Sequence, residues 1–148
     1  MGSGSAGTSA FAQSSDRSYR LAHLAISAES EAATRAITLP EMAKLGFVEG
    51  RNLVFDGRVG SPGDLPGLMQ ELMAGRPDAV LAVGPAAIVA AGAIRNIPVI
   101  TFGGDPVPMG LAANYARPGG NVTGVVILIG ELEVKRLSLL LEALPDRR

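Results

Sequence analysis

The chain contains no cysteine and no tryptophan, and a single histidine, His23. Without cysteine there are no disulfides, thiolate metal sites or thiol chemistry, though a cysteine-free chain fits either side of a bacterial inner membrane. Aromatic residues make up only 4% of the sequence, so the core has to be aliphatic, built from Ala, Val, Leu and Ile. Neither sign of charge is in excess: 13 Lys and Arg stand against 14 Asp and Glu, a formal net charge of −1. No basic stripe is present, which argues against a nucleic-acid partner. No apolar run approaches the roughly 20 residues that a spanning helix needs. The familiar catalytic signatures are missing as well. There is no G-x-x-x-x-G-K-S/T, no G-x-G-x-x-G after the first strand, no H-E-x-x-H and no G-x-S-x-G.

What is there is a globular balance, with 47% hydrophobic and 18% charged residues over 148 positions, the usual length of one domain. Nineteen Gly and ten Pro predict many tight turns between short elements. Residues 1–18 are small and polar and read as a disordered leader or tag. Within them Ala10-Phe11-Ala12-Gln13 has the small-x-small form of a signal-peptidase site, but the charged and apolar regions that precede such a site are missing. A trimmed signal and a chance match both fit.

From Arg20 onward strands and helices alternate. Leu21 to Ile26 reads as a buried strand, and Ser30 as the N-cap of a helix running to about Leu45 and ended by Gly46. Pro40 lies inside that helix, where its missing N–H predicts a kink or a split. Asn52 to Asp56, Ala79 to Val83, Pro98 to Phe102 and Val122 to Leu128 read as further strands. Asp64 to Ala74, Ala86 to Arg95 and Glu131 to Leu144 read as helices, the last stopped by Pro145, with a short helical piece at Met109 to Ala113. Such alternation predicts a three-layer α/β domain, a parallel sheet with helices on both faces. In these sheets ligands sit beyond the C-terminal strand ends, near a topological switch point.

Three strand-to-helix turns are therefore candidate binding segments. The first carries Ser27, Ala28, Glu29 and Ser30, which offer hydroxyls and a carboxylate. The second, Gly84-Pro85-Ala86-Ala87, opens a helix whose unpaired amides and dipole favour an anion, and its small side chains allow close approach. The third, Gly104-Asp105-Pro106, places a carboxylate where an ammonium or hydroxyl can meet it, although Asp105 also suits a turn cap. His23 lies mid-strand in an apolar run, a packing position far more often than a base. Asn121-Val122-Thr123 matches a glycosylation sequon, which matters only in a eukaryotic secretory setting. No catalytic residue, metal-ligand set or cofactor motif emerges.

Four segments carry a resemblance: Leu45 to Leu53 (LGFVEGRNL), Arg76 to Val80, Gly104 to Val107, and Ala116 to Gly124 (ARPGGNVTG). In order and spacing they resemble the substrate-binding proteins of ABC transporters, in the group that includes tryptophan- and tyrosine-type binders, from Arg20 to Pro145. The resemblance implies one lobe of a type I periplasmic-binding fold with sheet order 2-1-3-4-5. It also implies a cleft that takes an amino acid or related small carboxylate. The cleft residues it implies are Ser27, Ala28 and Glu29, then Gly84, Pro85, Ala86 and Ala87, then Gly104 and Asp105. It further implies an ABC transporter permease as partner, a periplasmic location and no enzymatic turnover. Three features depart from the pattern, one of them Pro40. Pro85 stands where Thr is common, and the fifth strand continues Val125-Val126-Ile127 where Ser or Asn often follows.

The resemblance divides the chain into a leader at 1–18, an N-terminal lobe at 19–129, and, at 130–148, the first helix of a second lobe that is missing here. The apolar positions Leu132, Val134, Leu137, Leu140, Leu141 and Leu144 then need a cover. The helix is expected to fold back on its own lobe or, preferentially, to pair residues 131–144 with another copy as a homodimer. The leading functional expectation is a solute-binding component of an ABC importer. A ligand-sensing input domain of a receptor or regulator is the alternative on the same fold. A small α/β enzyme is a third reading, set back by the lack of a nucleophile–base pair.

Overall fold

Leu21, Ala22, His23, Leu24 and Ala25 are all buried, and they form the spine of the sheet. A strand covered on both faces has no solvent side, so its sequence runs continuously apolar instead of alternating. The computed structural model of the chain describes residues 17–127 and 129–144. The leader read at 1–18 lies outside these except for its last two residues, as do Leu128 and Pro145.

Strand β1 (Tyr19–Ala25) pairs in parallel with β2 (Leu53–Val59) on one side and β3 (Ala79–Val83) on the other. Beyond β3 lie β4 (Val99–Gly103) and β5 (Val122–Val126), giving the order β2-β1-β3-β4-β5 with every pair parallel. This is the order the family resemblance implied. Strand β2 runs past Asp56 to Val59, because β1 continues its ladder opposite Gly57, Arg58 and Val59. On an edge strand the Arg58 side chain can reach water while the backbone stays paired.

The register lines up one transverse row of side chains: Ala22, Val80, Val99 and Val122, all buried. Helices α3 (Leu65–Ala74) and α4 (Ala86–Ala93) cover this face. Leu65, Met69 and Leu72 from α3 join Ala86, Ala87, Ala90 and Ala91 from α4 in one core with that row. Four small side chains let α4 lie close to the strands, which fills the space without aromatic residues.

The opposite face is covered by a continuous helical segment, α1 (Ala28–Ala33), a π-helical turn (Thr34–Thr38) and α2 (Leu39–Lys44). Its N-cap is Ser27, one turn before the expected Ser30: the Ser27 hydroxyl accepts the Ser30 N–H at 3.2 Å. The kink or split expected at Pro40 takes the form of the π turn. Pro40 has no N–H for Ala36, and the Leu39 N–H reaches back to the Thr34 carbonyl, so the widened turn absorbs the mismatch. A second cluster of Leu21, Leu39, Leu53 and Phe55 packs beneath, over β1 and β2.

Strands β3 to β5 are less well covered on that face. Phe102 and Val125 are 44% and 58% exposed, and an apolar trough of about 380 Å³ runs between Ala33, Thr34 and Ile37 and the side chains of Leu81, Ile100, Phe102 and Val125. The short helix expected at Met109 to Ala113 is absent. Turns at 106–110 replace it, and the Leu111 and Ala112 N–H groups both meet the Pro106 carbonyl. Helix α5 (Ile129–Ala143) begins two residues earlier than expected and leaves Leu132, Val134, Leu137, Leu139, Leu140 and Leu141 exposed.

Gly124 marks the tightest approach in the sheet: a Cβ there would overlap the Thr101 carbonyl oxygen and hydroxyl. Gly124→Ala is expected to destabilise the lobe by about 1–3 kcal/mol through overpacking, read as a lower urea midpoint at unchanged slope. An unchanged midpoint would refute the close fit of β5 against β4.

Candidate functional site

Parallel pairing puts the C-terminal ends of all five strands at one edge of the sheet. Strands β1, β3 and β4 are consecutive neighbours, so the turns that follow them are brought side by side. These are the turns at Ser27–Ser30, Gly84–Ala87 and Gly104–Pro106.

At the first turn, the Ser27 hydroxyl caps α1 and lies 3.1 Å from the Ser30 hydroxyl. Ala28 and Glu29 are exposed. The Glu29 carboxyl is held below its usual range, first by its own backbone N–H and then by the Ser27 hydroxyl, so this turn presents an anion.

The second and third turns are tied to each other. The Gly84 N–H donates to the Phe102 carbonyl at 2.9 Å. Gly84 and Gly103 have φ of 60° and 106°, which side-chain-bearing residues rarely adopt. Ala86 and Ala87 point their methyl groups into the core. The Ala87 N–H returns to the Gly84 carbonyl and the Ile88 N–H to the Pro85 carbonyl, while Pro85 has no N–H at all. The amides of Ala87 and Ile88 are thus taken up within the turn, and Ala86 is itself buried.

Asp105 is half-buried and hydrogen-bonded through both oxygens. Its Oδ1 accepts the Val107 N–H at 3.0 Å, and its Oδ2 accepts the Tyr115 hydroxyl at 2.6 Å. Beside it the Met109 Cε lies 3.0 Å from where a Gly104 Cβ would stand. Phe102, Met109 and Tyr115 are 44%, 43% and 66% exposed around this turn. None of the three stood out in the sequence, where a single exposed aromatic has no pattern to mark it.

The other motif residues do structural work away from this edge. Asn52 accepts the Val48 N–H with its Oδ1 at 2.8 Å and donates to the Gly46 carbonyl at 2.9 Å, closing the turn before β2. The Asp78 Oδ2 accepts the Arg20 N–H at 2.8 Å at the start of β3. The Asn121 Nδ2 donates to the carbonyls of Ile94 and Ile97 at 3.1 and 2.7 Å, fastening the entry to β5.

His23 is fully buried under the helical segment. Thr34 Oγ1 donates to the Ser30 carbonyl at 3.0 Å and lies 3.2 Å from His23 Nε2, so the proton sits on Nε2, while Nδ1 has no partner among the described residues. Burial holds the imidazole below its usual range; Arg35 adds to this and Glu31 opposes it. Among the described residues no group of three or more His, Cys, Asp and Glu is placed to hold a metal ion, and no helix is long and apolar enough to cross a membrane.

Parallel pairing thus gathers three neighbouring turns at the C-terminal sheet edge, where α/β sheets commonly take their ligands. The family model described as "ABC transporter substrate binding protein" matches residues 24–148, and the chain belongs to that family. A crystal structure of a conserved domain protein from Vibrio cholerae is similar, with 28% identity, a TM-score of 0.77, and cover of 88% of this chain and 45% of that one. An ABC domain from Streptococcus pneumoniae, solved in complex with L-Trp, has 26% identity and a TM-score of 0.65, covering 74% and 38% of the two chains. A ligand-free, open substrate binding protein with adhesive properties from Clostridium difficile shares the fold, with 24% identity, a TM-score of 0.66 and cover of 80% and 43%. The chain thus spans less than half the length of the structures it resembles. No significant match was found among curated proteins.

The buried neutral His23 has a pH consequence. Its folded pKa lies below the ordinary 6.5, so at acid pH the unfolded chain binds a proton that the folded chain refuses. Stability is expected to fall as pH drops below about 6.5, with a slope of up to about 1.4 kcal/mol per pH unit until the folded pKa is reached. Urea denaturation between pH 7.5 and 5, roughly spanning that titration, reads it, and His23→Leu should flatten the dependence. Equal slopes in the two proteins would show that His23 does not set it.

Proposed function

We propose that residues 19–129 are the N-terminal lobe of the solute-binding component of an ABC importer, with residues 130–148 the first helix of a second lobe. The observation that carries this reading is the placement of the β1, β3 and β4 turns side by side at one sheet edge, in a chain of this family. The ligand is a small carboxylate-bearing molecule such as an amino acid. It meets Ser27, Ala28, Glu29, Gly84, Pro85, Ala86, Ala87, Gly104 and Asp105 as one wall of an interlobe cleft, and a second lobe supplies the other wall. The protein works in the periplasm with a transporter permease, without cofactor and without chemical turnover.

A thermal-shift screen of L-amino acids and aromatic carboxylates tests this. A ligand at 100 times its Kd adds about 2.7 kcal/mol to stability, so one chemical class should raise Tm by several degrees and be recovered intact by mass spectrometry. A recovered product, or a flat response across the panel, would sink the proposal.

The exposed apolar side of α5 supports a second part of the reading: two copies of this chain pair through residues 131–144 as a homodimer. Sedimentation equilibrium is expected to show a dimer that Leu137→Glu with Leu141→Glu converts to monomer. A wild-type monomer at high micromolar concentration would exclude this pairing.

A further inference from the structure

We infer that the apolar trough over β3 to β5 is the seat for α5 of a second copy, so that two chains exchange their last helices reciprocally. The inference rests on the homodimer reading above and names the surface on which residues 131–144 dock. One face of the sheet carries α3 and α4. The other carries only the α1, π and α2 segment, whose core cluster lies over β1 and β2. Strands β3 to β5 therefore lack a helix layer on that side. The register sets Val83, Phe102 and Val125 there in one transverse row, with Phe102 and Val125 exposed, and Ile37 stands exposed on the wall above them. A second apolar cavity of about 280 Å³, reaching Tyr19 and Phe47, shares Thr38, Leu81 and Ile100 with the trough. The two form one groove running along the strands.

The groove has the dimensions of a helix. Three strands about 4.8 Å apart make a strip roughly 10 Å wide, the diameter of a helix with its side chains. Each of these strands has five residues, a run of about 17 Å, and α5 has 15 residues, a length of about 22 Å. Val134, Leu137, Leu140 and Leu141 recur at the three- and four-residue spacing of one helix face, while Lys135, Ser138 and Glu142 fall on the opposite one. The trough is lined by apolar side chains and by hydroxyl-bearing residues such as Ser30 and Thr38, with no charged residue among them. The chain's own α5 does not fill the groove, because Phe102, Val125 and the leucines are all exposed. Pairing α5 with α5 would cover the leucines and leave the groove open, whereas reciprocal exchange covers both. Such an exchange is isologous and closes at two copies. Each copy then contributes a helix face and a groove, toward the about 800 Å² per partner that a stable pair buries.

The cysteine-free chain lets single cysteines report the contact. Ile37→Cys and Leu141→Cys chains are mixed, treated with a short bismaleimide and read by mass spectrometry. The expected product links the groove wall of one copy to α5 of the other, in excess over links between two Leu141→Cys copies. Sedimentation equilibrium should show Ile37→Glu and Val125→Glu each raising the dimer dissociation constant by about tenfold or more, with far-UV circular dichroism unchanged. Leu139→Glu, on the side of α5 away from the leucine stripe, should leave the dimer intact. A dimer that tolerates both groove variants, and in which Leu141→Cys copies link only to each other, would overturn the inference while keeping the homodimer. A double variant, Ile37→Cys with Leu141→Cys, that links only within single chains would put α5 on its own lobe and overturn both. A wild-type monomer would do the same.

Discussion

Parallel backbone pairing brings all five strand ends to one edge, and that constraint places the candidate site. Strand β1 has to be accepted on both sides, by β2 and by β3, and covered on both faces. Its chain therefore turns at Ser27 beside the turns that leave β3 and β4, residues some 60 to 80 positions further on. No side-chain interaction is needed to gather them. The hydrogen bond from the Gly84 N–H to the Phe102 carbonyl only finishes what the ladder begins.

The motif residues divide according to the edge they occupy. Asn52, Asp78 and Asn121 sit where β2, β3 and β5 begin, and each satisfies backbone groups that a turn would otherwise leave unpaired. They are devices for building the sheet. Only the Gly104-Asp105-Pro106 turn carries a motif side chain at the opposite edge, and there its carboxylate organises a loop. A motif can thus identify the family strongly while saying little about what the cleft holds.

Two apolar surfaces are open in the described chain: the trough over β3 to β5, and the leucine-rich side of α5. A layered α/β domain gains its stability by covering such faces, and areas of this kind mark contacts with further structure. The matched part makes up 45%, 38% and 43% of the three related structures, each of which holds more chain than is matched here. The same consideration shapes binding, because one wall gives a ligand contact on one side and leaves the other to whatever closes over it.

The fold was legible in the sequence because it follows from local pattern. Apolar runs of five residues, helical periodicity and Gly or Pro between them specify alternating elements, and alternating elements admit few sheet orders. Element ends were less legible: β2 gained Gly57 to Val59 from its partner, and Ser27 displaced Ser30 as the cap. The π turn before Pro40 is a compromise between a missing N–H and a helix held down by Leu39 and Met42. The turns of the candidate site were legible too, since a strand followed by Gly, Pro or Ser announces them. Which groups face a ligand was not. Ala86 and Ala87 are buried, and both Asp105 oxygens are held within the protein, one of them by the hydroxyl of Tyr115 ten residues downstream. By itself the sequence determined that strands would alternate with helices and where their turns would come. Tertiary structure decided which way each group at those turns points, because a hydrogen bond between distant residues leaves no periodicity for a sequence to show.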